Sequence, residues 1–510
     1  MPEFTPNNLI SGRLLTRNTL LNFVGQASPL VTALFAIPWL VAGLGVNRFG
    51  VLTLGWIIIG YFSLFDLGLG RALTKLVADK LATGRGREIP PLAWTALFLM
   101  LLSGLVGTVV LGLLSLLLVR DVLKIPEMLQ SETLHTFYLL AVAIPVVVST
   151  AGLRGILEAY QRFDLVTAVR IPSTTFNYLG PLLVLPFSQS LVPAVSVLVA
   201  GRLLFWLIHL LLCFRVVPAL RNEISLQRTA IRPLLHFGGW LTVSNLVWPL
   251  MTYMDRFLIG AWVSVTAVAY YATPYEMVTK LWLVPFALIG VLFPAFTTSL
   301  IQDRARVALL LDRGVKYVFL VLFPLVLRVL TLANEGLNLW LGADFAQNSA
   351  RVLQLLAVGI LVSSMALVAT TMIQGIGRPD LAAKLQLAEL PFYLLLLWWL
   401  LSTFGIEGAA FAWVVRVVVE AAVLFYLSQR FLPTRTKIVR RTTLILLTAL
   451  LTLTLAALLA DLAIKGLFLS ITLPAFALAA WSVILTPAER SAIRKHLKLA
   501  THSVGGNEKL

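Results

Sequence analysis

Residues 92–119 of the chain are LAWTALFLMLLSGLVGTVVLGLLSLLLV, a run of 28 residues without a charged side chain. An α-helix rises about 1.5 Å per residue, so about 20 apolar residues are enough to cross the hydrocarbon core of a bilayer. The stretch therefore predicts a membrane-spanning helix. Similar stretches recur from one end of the chain to the other.

The composition of the 510-residue chain agrees with a membrane protein. Hydrophobic residues make up 59% and charged residues only 12%, whereas about 25% of the residues in an ordinary soluble protein are charged. This excludes a set of soluble domains, because so much apolar surface cannot be kept out of water. The single cysteine, Cys213, excludes a disulfide framework.

Windows long and apolar enough to cross the bilayer occur fourteen times. The window at 166–188 is interrupted by prolines, which are tolerated where protein or water, rather than lipid, meets the freed backbone. The windows are 18–43, 50–70, 92–119, 134–153, 166–188, 191–214, 234–262, 267–300, 315–333, 351–373, 384–403, 406–428, 442–460 and 466–486.

The basic residues are distributed unevenly between the two sides that these windows define. When residues near the ends of the windows are counted with the adjoining loops, 30 of the 40 lysines and arginines lie in the even-numbered loops and the two tails, five lie in the odd-numbered loops, and five lie well within the windows. Cytoplasmic loops of membrane proteins collect lysine and arginine. The pattern therefore predicts that both termini are cytoplasmic, and the net charge of +17 does not require a nucleic-acid partner.

Several function classes are disfavoured by the loops. None of them exceeds about 20 residues, and the sequence has no P-loop, HExxH or GxGxxG motif. A membrane enzyme such as a glycan polymerase or acyltransferase would need a large external loop or an intramembrane His/Asp cluster, and neither is visible. We therefore expect a transporter without a cofactor or metal rather than an enzyme.

An internal repeat relates the two halves of the chain. At a constant offset of 216 residues, Leu139-Leu140-Ala141-Val142 aligns with Leu355-Leu356-Ala357-Val358, and without a gap the triplet Arg162, Asp164, Leu165 aligns with Arg378, Asp380, Leu381. The matched helices are six windows apart, so both halves cross the membrane in the same direction, as in parallel repeats. The matched polar positions argue against chance similarity of two Leu/Ala-rich segments.

The repeat predicts an all-α polytopic membrane protein of about 14 transmembrane helices, in which two six-helix lobes are related by a parallel pseudo-two-fold axis. A pair of lobes enclosing a central cavity suits alternating access. The predicted segments are an N-terminal lobe at 1–217, a cytoplasmic linker at 218–232, a C-terminal lobe at 233–430, an accessory helix pair at 431–486 and a cytoplasmic tail at 487–510.

Some stretches of the chain have a familiar pattern. Gly45-Val46-Asn47-Arg48-Phe49-Gly50-Val51 leads into the second window, which closes with Asp66-Leu67-Gly68-Leu69-Gly70-Arg71-Ala72. Later come Asp255-Arg256-Phe257-Leu258-Ile259-Gly260, Ala269-Tyr270-Tyr271-Ala272 and Phe293-Pro294. In these stretches the chain resembles the polysaccharide-biosynthesis (O-antigen/exopolysaccharide) flippases of the multidrug/oligosaccharidyl-lipid/polysaccharide exporter superfamily. The resemblance covers nearly the whole chain, including its six-plus-six-plus-two arrangement of windows.

The resemblance implies that the protein moves an undecaprenyl-diphosphate-linked oligosaccharide from the cytoplasmic to the periplasmic leaflet of a bacterial inner membrane. The unit would belong to O-antigen, capsule or exopolysaccharide, and a glycan polymerase and export machinery would be partners. A cation-coupled multidrug antiporter and a lipid II flippase of the same superfamily are the alternatives. The antiporter would favour an acidic cavity, and the lipid II flippase a cationic motif in its first helix, whereas residues 20–43 carry no charge.

Ionisable side chains inside the membrane are costly, at about 2.5–3.5 kcal/mol at a helix centre, and therefore need a partner or a cavity. Arginine offers forked donors that match the oxygens of a diphosphate. We predict a cationic cavity lined by Arg202, Arg256, Lys280 and Arg328. Snorkelling, or an acidic partner elsewhere in the chain, is the competing interpretation for each of them.

Acidic residues lie near two of these cations. Glu276 and Lys280 are four residues apart on one helix, so they can pair. Asp255 and Arg256 are adjacent and cannot share one helix face, which suggests a crossed network of Asp255 with Lys280 and of Arg256 with Glu276. Asp255 and Glu276 are therefore either coupling acids of a transport cycle or structural links between two helices.

The remaining cations differ from one another. Arg416 has Glu420 four residues later, which predicts a self-neutralised structural pair. Arg202 and Arg328 have no acid at such spacing, although Trp206 offers Arg202 a cation–π contact.

Overall fold

The computed structural model describes residues 31–62, 68–160, 162–289, 292, 296, 304–376, 378–432, 448–487 and 489–491, without the side chains of 59, 61, 62, 82, 235–250, 252, 304 and 379. Throughout this part of the chain the regular secondary structure is helical and contains no strand. The predicted all-α class is therefore confirmed.

The longer helices of the described residues number fifteen, apart from shorter helical stretches such as Ala219–Asn222. They are α1 (Val31–Leu44), α2 (Val46–Phe62), α3 (Leu69–Ala82), α4 (Ile89–Leu117), α5 (Glu127–Ala159), α6 (Phe163–Val184), α7 (Leu191–Val216), α8 (Arg228–Trp262), α9 (Val265–Thr279), α10 (Arg304–Thr331), α11 (Ala333–Leu341), α12 (Ala343–Gly375), α13 (Pro379–Arg430), α14 (Thr448–Ala457) and α15 (Leu462–Ala479).

Among the described residues, seven helical stretches are both long and apolar enough to cross a bilayer, and three shorter apolar helices accompany them. The chain is thus a multi-pass membrane protein. Each predicted window contains a helix in its described part, but the number of fourteen crossings stays a prediction. The seven stretches are Gly86–Val122, Glu127–Ala159, Leu191–Val216, Ala305–Thr331, Ala343–Gly375, Asp380–Arg430 and Leu462–Ile484.

Contacts group the chain into two units. The first comprises Met1–Met277 and Gln386–Ala412, and the second comprises Val278–Leu385 and Trp413–Leu510. The division into six-helix lobes at 1–217 and 233–430 remains a prediction.

The long helix α13 contains a chain reversal at Gly405, between the predicted windows 384–403 and 406–428. Gly405 has φ 59° and ψ −141°, a backbone conformation that is essentially restricted to glycine. A Cβ atom on Gly408 would lie 2.0 Å from the carbonyl oxygen of Leu400, although residues eight apart in a straight helix are separated by about 12 Å. Two antiparallel helices are therefore joined here through a single glycine.

The helices α5 and α12 show the internal repeat in three dimensions. Each has 33 residues, and both their first and last residues are 216 positions apart. The next residues, Tyr160 and Ile376, share the backbone angles φ −81° and ψ 8°.

The turn after each of these helices is closed by the same side-chain pair. Arg162 donates from Nε to Asp164 Oδ1 over 2.9 Å, and Arg378 donates from Nε to Asp380 Oδ1 over 2.9 Å. The offset in the sequence therefore corresponds to a repeated helix–elbow–helix structure.

Candidate functional site

Arg202 lies near the middle of α7 in the first unit. Its guanidinium donates from Nη2 to Oδ1 of Asn177 on α6 over 3.3 Å. The Nε–H is shielded from solvent and has no hydrogen-bond partner among the described residues. In this part of the chain Arg202 thus has a neutral amide as a neighbour and no acidic ion-pair partner.

The neighbouring helix α6 is unusually polar for an apolar environment. Pro172 and Pro181 lie inside it, and a proline cannot donate to the carbonyl four residues earlier. Pro181 therefore frees the backbone carbonyl of Asn177, the residue whose side chain accepts from Arg202. The half-buried polar side chains of this segment are Ser173, Thr174, Thr175, Asn177 and Tyr178.

Aromatic side chains are packed on both sides of α6. The ring of Tyr178 lies 5.2 Å from that of Trp56 on α2, measured between centroids. The indole N–H of Trp56 is buried and has no acceptor among the described residues. Phe176 packs edge-on against Phe205 of α7, with centroids 6.0 Å apart.

The predicted cation–π contact between Arg202 and Trp206 is not among the ring contacts of the described chain. Trp206 instead donates its indole N–H to Oγ of Ser149 on α5 over 2.9 Å. The four-residue spacing puts the two side chains on one face of the helix, but it does not decide which neighbour each of them meets.

Asp255 and Arg256 lie in a closely packed part of α8. Asp255 is fully buried and accepts hydrogen bonds from the hydroxyl of Tyr271 on α9, over 2.7 Å, and from the backbone N–H of Arg256. The Cζ atom of Arg256, which is 1% exposed, lies 4.0 Å from the centroid of Tyr275 and 5.3 Å from that of Tyr253. These contacts join α8 to α9, which favours the structural interpretation of the pair.

Glu276 is half-buried in the first unit and close enough to Arg256 and to the hydroxyl of Tyr178 to act on them electrostatically. The predicted crossed network, Asp255 with Lys280 and Arg256 with Glu276, stays a prediction.

The other predicted site residues lie in the second unit. Lys280 begins a short 3₁₀ turn, Lys280–Trp282, and is half-buried. Arg328 is exposed near the end of α10. The predicted structural pair is confirmed, because Arg416 Nη1 lies 3.1 Å from Glu420 Oε2. The four cations are thus divided between the units, with Arg202 and Arg256 in the first.

Sequence reasoning proposed Arg202 but not its neighbour Asn177, nor the adjacent pair of rings Tyr178 and Trp56. The available signal was the proline-interrupted window itself, since polar residues cluster between Pro172 and Pro181. Within the described part of the chain, no three His, Cys, Asp or Glu side chains are grouped as a metal site would require.

Comparison with known proteins identifies the family. The model of the family described as "Polysaccharide biosynthesis protein" matches residues 15–300, more than half of the chain. The chain belongs to this family. The predicted resemblance to polysaccharide-biosynthesis proteins is thereby confirmed.

Two proteins that are similar to this chain have descriptive names. A Shigella flexneri protein named "Putative O-antigen transporter" is 28% identical over 421 residues, which are 82% of this chain and 98% of the relative. A Haloferax volcanii protein named "Probable low-salt glycan biosynthesis flippase Agl15" is 24% identical over 182 residues, covering 36% of this chain and 38% of the relative.

Solved structures show the same fold at low sequence identity. An inward-facing multidrug resistance MATE family transporter of the MOP superfamily has a TM-score of 0.68 at 15% identity and covers 80% of this chain and 98% of its own. A MOP superfamily transporter from Pyrococcus furiosus, described as having a binding pocket of reverse polarity, has a TM-score of 0.59 at 14% identity, with 82% and 95% covered. The chain therefore has the fold of MOP superfamily transporters.

Proposed function

We propose that the protein is a flippase that transfers an undecaprenyl-diphosphate-linked oligosaccharide from the cytoplasmic to the periplasmic leaflet of a bacterial inner membrane by alternating access. Membership of the polysaccharide biosynthesis family and the names of both relatives support a glycan cargo. The fold of MOP superfamily transporters supports transport rather than catalysis.

The proposed flippase function rests on the surroundings of Arg202. A guanidinium in the bilayer costs several kcal/mol unless it is compensated, and the described neighbours of Arg202 supply one neutral amide oxygen at 3.3 Å. Its Nε–H is left without an acceptor. A diphosphate would supply both the missing negative charge and the missing acceptor oxygens.

The surroundings of Arg202 suit a sugar as well as a phosphate. Asn177 offers both donors and an acceptor, and its freed backbone carbonyl adds another acceptor. Trp56 contributes an N–H without an acceptor beside the ring of Tyr178. Hydroxyl groups of a glycan could satisfy these groups, whereas an apolar cationic drug could not.

The wider cationic cavity remains part of the proposal. Arg256, Lys280 and Arg328 are proposed to contribute positive charge to the cargo path, and Asp255 and Glu276 to be its titratable acids. Arg256 is the weakest member of this set, because two tyrosine rings and Asp255 already enclose it.

The proposed orientation, with both termini in the cytoplasm, is supported by polar contacts within each unit. Residues from predicted external loops meet one another, as in Arg48 with Glu132 and Lys465 with Glu335. Residues from predicted cytoplasmic segments, and from the cytoplasmic ends of the windows 92–119 and 315–333, do the same. Their pairs are Lys80 with Glu88, Trp94 with the carbonyl of Leu220, and Lys316 with Glu489.

Complementation tests the proposed function. The protein is expressed in a bacterial strain that lacks its own O-unit flippase, and the lipid-linked units that reach the periplasm are measured. We expect export to be restored with at least one of several repeat units. The variants Arg202→Gln, Arg256→Gln, Lys280→Gln and Arg328→Gln, alone and combined, test the cationic cavity.

Two results would contradict the proposal. Failure with several unrelated repeat units, together with resistance to cationic drugs, would indicate a multidrug antiporter. Full export by all four single variants and by the quadruple variant would show that the proposed cationic cavity does not bind the cargo.

A further inference from the structure

The hairpin formed by α8 and α9 is held to the first four helices at one end of the first unit. After a π-helical turn at Leu118–Val122, the chain becomes extended at Leu123. The next residue, Lys124, donates its backbone N–H to the carbonyl of Gly260 over 2.9 Å and its Nζ to the carbonyl of Trp262 over 2.6 Å. Both carbonyls lie in the last turn of α8.

The end of α8 is therefore capped by another segment as well as by its own loop, in which Val263 donates its backbone N–H to the carbonyl of Ile259. The last four carbonyls of a helix lack partners within the helix, and a cation near this end is favoured by the helix dipole. Lys124 satisfies two of these carbonyls. Lys124 and Trp262 are both exposed, so water can take the place of the Lys124 ammonium group at the Trp262 carbonyl when these segments separate.

A close backbone approach lies beside this cap. A Cβ atom on Gly50 of α2 would lie 2.0 Å from the carbonyl oxygen of Val265, the first residue of α9. Val265 is fully buried, and the next residue, Thr266, donates its hydroxyl to Oδ1 of Asn47. The helices can meet here only because residue 50 has no side chain.

All of these contacts join segments at the predicted external side, and each joins the first half of the repeat to the start of the second. Cargo that leaves toward the periplasm between the two halves must pass this end. The hydrogen bonds are few, and they join both backbone and side-chain groups, which suits an interface that opens and recloses.

We propose that Gly50, Lys124 and the hairpin of α8 and α9 form an outer gate, which this structure shows closed. The gate rests on the proposed flippase function, since it controls release of the lipid-linked glycan to the periplasmic leaflet. Gly50 permits the closed contact, and Lys124 stabilises it by capping α8.

Reversible cross-linking tests the gate. Asn47→Cys and Thr266→Cys are combined in a Cys213→Ala background, and spheroplasts are treated with a short bis-methanethiosulfonate, which bridges two thiols through reducible disulfides. We expect bridging to lower glycan export to the level of the strain without the protein, and dithiothreitol to restore it. The matched control joins Arg48→Cys and Glu132→Cys, both within the first half, and should export normally when bridged.

If the protein exports normally while every molecule carries the bridge between positions 47 and 266, the contact is permanent and the proposed gate is wrong. Failure of the two thiols to become bridged would also contradict the proposed gate, because the two positions would then not meet in the closed state. If the reduced variant and the unmodified protein both fail to export, the proposed function fails rather than the gate.

A second measurement tests the gate without any cargo. Gly50→Val should prevent closure of the gate. In the Thr266→Cys protein, it should therefore raise the rate at which this cysteine reacts with an external maleimide. In the double-cysteine protein, it should lower the yield of the bridge between positions 47 and 266. Gly112→Val, at a glycine of α4 with open space around it, should leave both unchanged. Unchanged labelling and bridging in the Gly50 variant would contradict the gate whether or not export occurs.

Discussion

Arg202 and Arg416 show how differently two arginines in apolar helices can be compensated. Arg416 has Glu420 one turn away on its own helix, at 3.1 Å, so the sequence alone predicts its partner. Arg202 meets Asn177 on another helix, and its partner depends on how α6 and α7 are rotated against each other. The first arginine is neutralised by an acid on its own helix, whereas the second has no acidic partner among the described residues.

Replacement of Arg202 should impair export, and the impairment should be larger when both the positive charge and the forked hydrogen-bond donors are lost than when the charge is kept. A hydrogen bond to a charged group contributes about 1.5–3 kcal/mol, so Arg202→Gln should weaken apparent cargo affinity by about ten- to a hundredfold. Arg202→Lys keeps the charge and should retain part of the activity. The measurement is the amount of periplasmic lipid-linked glycan at matched expression.

The control for this prediction is Arg120→Gln, since Arg120 is exposed beyond the end of α4. Export by Arg202→Gln equal to that of the Arg120 variant would contradict a role of Arg202 in cargo binding.

Glu489 connects the segment after α15 to α10. Its carboxylate accepts from Lys316 Nζ over 2.6 Å, from the hydroxyl of Tyr317 over 2.6 Å and from the backbone N–H of Thr486. Burial alone would raise the pKa of the Glu489 carboxyl, but these hydrogen bonds together outweigh burial and hold it at about 2. The ionised form is therefore favoured in the folded protein.

Because the folded pKa of Glu489 lies below its ordinary value of 4.5, its contribution to stability is complete above pH 4.5 and is lost as the pH falls toward 2. Glu489→Gln should lower the melting temperature in detergent at pH 7, and the difference from the unmodified protein should shrink by pH 3. A difference of equal size at both pH values would contradict the role of the ionised carboxylate.

At the scale of helices, hydropathy located α4, α5, α7, α10 and α12 correctly but made most of them too short. The predicted window 134–153 corresponds to Glu127–Ala159, and 351–373 corresponds to Ala343–Gly375. Hydropathy reports only the part of a helix that is apolar enough for lipid, whereas backbone hydrogen bonding continues into the polar region on either side.

Gly405 separates two windows that the sequence predicted as distinct helices. Its conformation costs a residue with a side chain about 1–3 kcal/mol, so Gly405→Ala should destabilise the protein by that amount. Gly466→Ala is the control, since Gly466 lies in α15 with no neighbour in the way, and alanine at an ordinary helical position is favourable by about 0.5–1 kcal/mol. Thermal unfolding in detergent measures both, and a stabilised Gly405 variant would contradict the reversal.

At the scale of the whole molecule, the orientation in the membrane can be tested with single cysteines in a Cys213→Ala background. Met128→Cys lies in a predicted external segment and Ile224→Cys in a predicted cytoplasmic one, and both residues are well exposed. A membrane-impermeant maleimide should label the first in intact spheroplasts and the second only after permeabilisation. The reverse pattern would invert the proposed topology.

The sequence by itself determined the membrane class, the positions of the helices, the repeat at an offset of 216 residues and the family resemblance. These follow from quantities that are local along the chain, namely the cost of moving each side chain into lipid, the side on which basic loops are retained, and recurring residue patterns.

The tertiary structure decided which side chains meet across helices. It placed Asn177 beside Arg202, enclosed Arg256 between two tyrosine rings and capped α8 with Lys124. Such contacts depend on the rotation and the crossing of packed helices. In an apolar chain many rotations bury similar surface, so hydropathy cannot choose between them, and the few polar groups do so only after the helices have packed.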